Sequence, residues 1–288
     1  MNMNINWYPG HMKKTRESIQ KNLSLVDVVF ELLDARIPYS SQNPVIDDIV
    51  KNKPRVIILN KSDLADSNSN ILWQKYFNNN GISTILYDSI SGKGVDKILK
   101  LAREVTEEKI KAYENRGVIN RPIRAMILGI PNVGKSTLIN TLSGKKGTKT
   151  GNKPGVTRTN QWIKIKGQLE LLDTPGILWP KFEEERVGLN LAFTGAIKDE
   201  ILDTETLALK LIEVLMDIAP ELLINRYEID ITDNTPLNLM ESIGSRRGCI
   251  IKGGEIDYTK TSNIILDEFR KGVIGNITLE LPKDKVGE

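Results

Sequence analysis

Gly129, Gly134, Lys135 and Ser136 stand in the order G-x-x-x-x-G-K-S within "ILGIPNVGKST" (127–137), directly after an apolar run and before a stretch of helical period. Those residue types at that spacing can hold a polyphosphate. Glycines let successive backbone N–H groups wrap the phosphates, and the start of the following helix adds partial positive charge. The Lys135 ammonium then reaches the β and γ phosphates while the Ser136 hydroxyl ligates Mg²⁺. Val133 and Thr137, on either side, complete the candidate cradle. A second group, Asn60, Lys61, Ser62 and Asp63, closes the apolar run "RVIILN". A carboxylate there can accept from guanine N1–H and its exocyclic amine, whereas adenine presents a lone pair to the same oxygen. Sites that depend on such donors reject analogues lacking them by roughly 10⁴-fold.

Three further segments fit around the same ligand. "YDSISGKG" places Ser89 and Ile90 at a strand end, where a backbone N–H can meet guanine O6. "LELLDTPG" places Asp173 where it can hold a Mg²⁺-bound water and Gly176 where its N–H can touch a γ-phosphate. D-x-x-G alone carries little information; its place at a strand end downstream of the phosphate loop gives it value. Between them, "GNKPGVTRT" supplies Thr157 as a second hydroxyl for Mg²⁺.

The elements that must position these groups are legible as apolar runs alternating with helical-period segments, the signature of a largely parallel sheet. Strands are expected over 26–34, 55–60, 83–88, 124–130, 161–166 and 169–174, and helices near 43–52, 70–79, 94–114 and 135–143. Only the pair 161–166 and 169–174 is joined without a helix. From about residue 184 the period is mostly helical. The division expected is therefore 1–180, a nucleotide-binding domain with a basic N-terminal helix, and 181–288, a smaller α-helical domain.

The base, phosphate and acidic groups run in that order from the N-terminus, the reverse of the usual arrangement in which the phosphate loop comes first. Loops that converge at the carboxyl edge of a sheet keep their pocket under circular permutation. Here the "DTPGIL" segment leads directly into the helical region, so γ-phosphate contacts can be transmitted to it. With "WYPGHMKK", "ELLDARIP", "LNKSD", "GIPNVGKSTLIN", "KTGNKPGVT", "LELLDTPGILWPKFE", "LAFTGAIKD" and "GSRRGC", the sequence resembles, over nearly its whole length, the circularly permuted GTPases that act in bacterial ribosome assembly. The fold that the resemblance implies is α/β: a circularly permuted Ras-like P-loop GTPase domain with a mostly parallel six-stranded sheet, followed by a smaller α-helical domain.

The resemblance also implies GTP hydrolysis with Mg²⁺, stimulation by K⁺ and by the ribosome, and a late role in large-subunit (50S) assembly through contact with the subunit precursor and its 23S rRNA. Small GTPases commonly carry a water-orienting glutamine after the D-x-x-G glycine. That position is Ile177, which can neither donate nor accept. The resemblance makes His11, the sole histidine, the candidate catalytic group, and Asn132 a K⁺ ligand. Taken without the resemblance, a lone histidine near the start of the chain reads as an ordinary surface residue, and Asn132 as a tight-turn residue.

Charge and composition narrow the remaining choices. Forty Lys and Arg stand against 37 acids in 288 residues, a net charge of +3. Lys145, Lys146, Lys149, Lys153, Arg158, Lys164 and Lys166, however, occur without an intervening acid, a footprint that suits a polyanion or simply a solvated loop. Lys13, Lys14, Arg16 and Lys21 near the start and Arg246 and Arg247 in "GSRRGC" are further candidate RNA contacts, and Trp162 is either a base-stacking or a core residue. The single Cys249 precludes an intrachain disulfide, and no run approaches a membrane span, so a cytoplasmic protein, monomeric off the ribosome, is expected. Two alternatives differ in class. One is a nucleotide-gated RNA-binding switch with incidental turnover; the other, a P-loop ATPase or kinase, is disfavoured by Asn60, Lys61 and Asp63.

Overall fold

Every residue of Val28–Asp34 (β1) is buried, Glu31 and Asp34 included, as befits a strand covered on both faces. The structure, a computed structural model, describes residues 10–50, 53–144, 161–165, 168–179, 182, 184–232 and 234–282. β1 pairs in parallel with Arg55–Asn60 (β2), which in turn pairs with Ser83–Leu86 (β3). On its other side β1 pairs with Ile123–Gly129 (β4). Beyond β4 come the parallel Leu169–Asp173 (β6) and, antiparallel at the edge, Gln161–Ile165 (β5). The six-stranded order is β3-β2-β1-β4-β6-β5. Chain order therefore reverses between β1 and β4, and the loops after β1, β2, β3, β4 and β6 emerge at one edge.

Helices Gly10–Leu23 (α1), Pro44–Val50 (α2), Ser67–Asn79 (α3), Val95–Glu114 (α4) and Lys135–Ser143 (α5) accompany the sheet. α3 begins three residues earlier than its apolar period suggests, because the Asp66 carboxylate accepts from the N–H of Ser69 at 2.7 Å and caps it. α1 buries Ile19 in a cluster with Val29, Ile46, Met126, Leu128 and Ile177.

After the sheet come Glu185–Phe193 (α6), Thr204–Ile218 (α7), Pro220–Tyr227 (α8), Pro236–Arg246 (α9) and Tyr258–Arg270 (α10). Asp203, Thr235 and Asp257 cap α7, α9 and α10 through their side chains. Leu207, Leu211, Ile243, Leu266 and Phe269 belong to an apolar core that is continuous with the sheet's. The chain then turns back. Ile277 N–H donates to the Leu64 carbonyl at 3.1 Å, Leu279 N–H to that of Arg36 at 2.8 Å, and Trp73 Nε1 to that of Glu280 at 2.9 Å. The buried Glu280 carboxylate accepts from Tyr39 N at 2.8 Å, Ser40 N at 3.0 Å and Asn190 Nδ2 at 2.9 Å. Cys249 is free and buried, and among the described residues no helix is long and apolar enough to cross a membrane.

Candidate functional site

The candidate phosphate loop joins β4 to α5. Gly134 has φ +100°, and a side chain there would collide with the Asn60 amide as well as being strained. That approach is used: Asn60 Nδ2 donates to the Val133 carbonyl at 2.6 Å, bridging segments 73 residues apart. Ser89 joins them, its Oγ 3.9 Å from the place a Gly134 Cβ would occupy. Ser62 ties the same corner to β3, its N and Oγ donating to the Tyr87 carbonyl at 3.2 and 3.0 Å.

Lys135, only 7% exposed, rests its ammonium on the carbonyls of Gly129 at 3.0 Å and Ile130 at 2.8 Å. Burial pulls its pKa down to about 8 against the attraction of Asp173. Ser136 and Thr137, the next residues of α5, are partly buried. The segment after β6 crosses this loop closely. A Cβ on Gly176 would sit 2.8 Å from Pro131 N and 3.0 Å from Lys135 Nζ, and Ile177 N–H donates to the Gly129 carbonyl at 3.2 Å. Asn132 adopts φ +56°, and its Nδ2 donates to the carbonyl of Gly195, just after α6, at 2.7 Å.

On the base side, Lys61 has φ +59° and pairs its ammonium with Asp34 Oδ2 at 2.8 Å. Burial raises the Asp34 carboxyl's pKa, but the Arg36 and Lys61 charges outweigh it and hold the group far below the ordinary range. For Lys61, burial prevails and the pKa is lowered. Asp63 is pushed up, first by burial and then by the like charge of Asp88. Asp88 Oδ1 accepts from Ile90 N at 2.8 Å and Ser91 N at 3.2 Å, fixing the turn that carries Ser89, while the Ile90 side chain is 84% exposed. Asp34, Arg36 and Asp88 are not among the residues that motif and spacing single out. Asp34 and Asp88 are signalled only as acids ending or closely following a strand, and Asp34 and Arg36 also fall within "ELLDARIP", one of the segments that carry the resemblance.

Thr157 lies outside the described residues, as do all members of the basic run 145–166 except Lys164, which is exposed. His11 falls in the first turn of α1, and its side chain likewise lies outside what the structure describes. Ile177 is 5% exposed and belongs to the same apolar cluster as Ile19 of α1. Arg16 and Lys21 are exposed on α1. Arg247 is engaged internally, 3.3 Å from Glu268 and with its guanidinium 5.2 Å from the centre of the Tyr227 ring; Arg246 pairs with Glu228 at 3.0 Å at the surface. Trp162 is 38% exposed on edge strand β5, with Arg124 5.3 Å from its ring centre.

The donor set suits Mg²⁺. Among the described residues no cluster of three or more His, Cys, Asp or Glu forms. One hydroxyl (Ser136) and one carboxylate (Asp173) match an ion that keeps waters and is completed by substrate phosphates.

A permuted sheet whose loops bring G-x-x-x-x-G-K-S, N-K-x-D and D-x-x-G to one edge defines a circularly permuted P-loop GTPase. The GTPase family described as 50S ribosome-binding GTPase matches residues 124–242. Ribosome biogenesis GTPase A of Bacillus licheniformis is 49% identical over 98% of this chain and 100% of its own length, and that of Priestia megaterium 49% over 98% of each. The chain belongs to the ribosome biogenesis GTPase A family. Among solved structures, GNP-bound YlqF from Thermotoga maritima is 26% identical with a TM-score of 0.65, covering 94% of this chain and 99% of that one. A GDP-bound YlqF structure matches at 26% identity and a TM-score of 0.66, over 93% and 100%.

Proposed function

We propose that this ribosome biogenesis GTPase binds GTP between the 60–63 and 129–137 loops and hydrolyses it at a late step of 50S assembly, docking on the subunit precursor and its 23S rRNA in the GTP state and leaving on hydrolysis. The observation that carries the reading is the Asn60 to Val133 hydrogen bond, because it puts the base-reading and phosphate-holding segments within reach of one nucleotide. Asn60, Lys61, Ser62, Asp63, Ser89 and Ile90 line the guanine end. Asn132, Val133, Gly134, Lys135, Ser136, Thr137 and Gly176 line the phosphate end. Ser136, Thr157 and Asp173, the last through water, serve Mg²⁺; Asn132 serves K⁺. Relatives whose names carry ribosome biogenesis support the partner, and the exposed Arg16 and Lys21 offer phosphate-backbone contacts whose strength falls steeply with salt.

His11 is the proposed group that orients or deprotonates the attacking water. Ile19, eight residues or about 12 Å further along α1, shares an apolar cluster with Ile177, which follows the D-x-x-G segment, and this supports α1 lying near the proposed γ-phosphate position. Co-sedimentation of the full chain with large-subunit particles tests the whole reading: retention with a non-hydrolysable GTP analogue and release with GDP are expected. Equal retention in both, or in neither, defeats it. His11→Ala then separates an enzyme from a nucleotide-gated binding switch, since ribosome-stimulated turnover should fall while GTP affinity persists.

A further inference from the structure

The helical half reaches the guanine end of the site through a buried guanidinium. Arg36 is 1% exposed. Its Nε and Nη2 donate to the two oxygens of Asp34 at 2.9 and 2.8 Å, and its Nη1 donates to the carbonyl of Arg270, the last residue of α10, at 3.2 Å. Its Cζ lies 5.6 Å from the ring centre of Phe269, also on α10. The Asp34 oxygen that receives Nη2 also receives Lys61 Nζ, at 2.8 Å. Lys61 is in the left-handed region, which non-glycine residues occupy only when their surroundings over-determine it. Backbone bonds run alongside: Ala35 N–H to the Asn60 carbonyl at 2.8 Å, and Asp66 N–H to Thr278 Oγ1 at 3.1 Å.

We propose that Arg36 is a positioning residue through which the helical half sets the shape of the base-reading loop and hence its selectivity for guanine. This rests on the assignment of 60–63 to the base. A planar guanidinium suits this role, since two parallel N–H groups grip one carboxylate while a third points elsewhere, and the C-terminus of a helix favours a cation. A lysine offers a point charge without that fork. Because Asp34 is shared, a displacement of α10 that draws Arg36 away leaves Lys61 with an altered partner. A partner that shifts α10 then changes guanine affinity, and guanine binding changes affinity for that partner by the same factor.

The test is competition of GDP against inosine diphosphate, which lacks the exocyclic amine, for a fluorescent GDP bound to the full chain, with thermal melts on the same samples. Asp63→Ala reports whether 60–63 reads the base. With that control losing its preference for GDP, Arg36→Lys should lower the GDP-to-inosine ratio by roughly tenfold and Arg36→Met by more. The loss should fall on KM for GTP, with kcat within about twofold. Thr278→Val, which removes the acceptor for Asp66 N–H from the opposite side, should lower the ratio about threefold. If Arg36→Met does not fold, Arg36→Lys and Thr278→Val decide the matter. A wild-type ratio in both, beside a control that has lost its preference, makes Arg36 purely structural and overturns the proposal. A control that retains its preference removes the base-loop assignment instead, and this proposal with it.

Discussion

The two ends of the proposed nucleotide site are held together by different physics. At the guanine end the holding groups are buried ions and backbone bonds to the returning chain: Asp34 between Arg36 and Lys61, Leu64 under Ile277, and Asp66 under Thr278. At the phosphate end the Lys135 ammonium rests on two carbonyls of its own loop, and Asn132 donates to a carbonyl of the helical half. The first arrangement is already paired and has little to gain from rearranging. The second holds its charge on neutral acceptors, which a triphosphate outcompetes. On the proposed reading, stability and guanine selectivity would rest mainly on one end and the response to the γ-phosphate on the other.

The most damaging test of that contrast is Asp34→Asn. Removing one partner of a buried ionic cluster strands the others, so about 3–5 kcal/mol of stability should go, lowering Tm by about 10 °C. The sign with pH is fixed by the lowered Asp34 pKa. Its contribution is full above the ordinary carboxylate value of 3.8 and is lost as pH falls through the folded-state value, so the wild-type advantage shrinks only in acid. Lys135→Met should behave in the opposite way. Single-turnover hydrolysis should fall on the order of 10²–10³-fold, with Tm within about 2 °C, because the cost of burying the ammonium disappears with it. Equal melting losses in the two variants would erase the distinction between the ends.

The phosphate end is far more legible in the sequence than the network behind the guanine end, and locality explains it. G-x-x-x-x-G-K-S is one contiguous loop, and the buried parallel strands are apolar runs whose ends fall within a few residues of expectation, as with 26–34 against Val28–Asp34. Arg36, by contrast, sits in "ELLDARIP", a segment that carries the family likeness without saying what it touches, and its Arg270 partner lies 234 residues away. Glu280 belongs to none of the quoted motifs, yet it is buried beneath Tyr39, Ser40 and Asn190. Neither pairing can be read from a local period or spacing. The same non-locality hides the second route by which the helical half meets the site: the motifs point to the D-x-x-G segment, and the returning chain adds the guanine loop.

A smaller effect sharpens the phosphate side. Burial pulls the Lys135 ammonium down to about 8, and the proposed triphosphate would stabilise its charged form. Below about pH 7 affinity should be flat. As pH rises from 7 to 8.5 the ammonium is progressively lost, and GTP affinity should fall about fourfold with net proton uptake on binding, seen by calorimetry in buffers of differing ionisation enthalpy. Lys135→Arg, whose guanidinium does not titrate there, should flatten the profile. A wild-type profile that is already flat would mean that the ammonium is not desolvated before the phosphates arrive.

The smallest effect isolates a hydrogen bond between the phosphate loop and the region after α6. Asn132→Ala removes the donor to the Gly195 carbonyl, and a single neutral bond is worth about 0.5–1 kcal/mol net, a Tm shift of about 2 °C. If that bond were all Asn132 did, hydrolysis in K⁺ and in Na⁺ would change together. The proposed K⁺ role requires instead that the wild-type advantage of K⁺ over Na⁺ vanish in the variant while the melting loss stays small. The two roles use different atoms, since Nδ2 donates to the Gly195 carbonyl while the amide oxygen would face the cation, so one side chain can serve both. Wild-type K⁺ dependence in Asn132→Ala would leave the residue a turn and a strut.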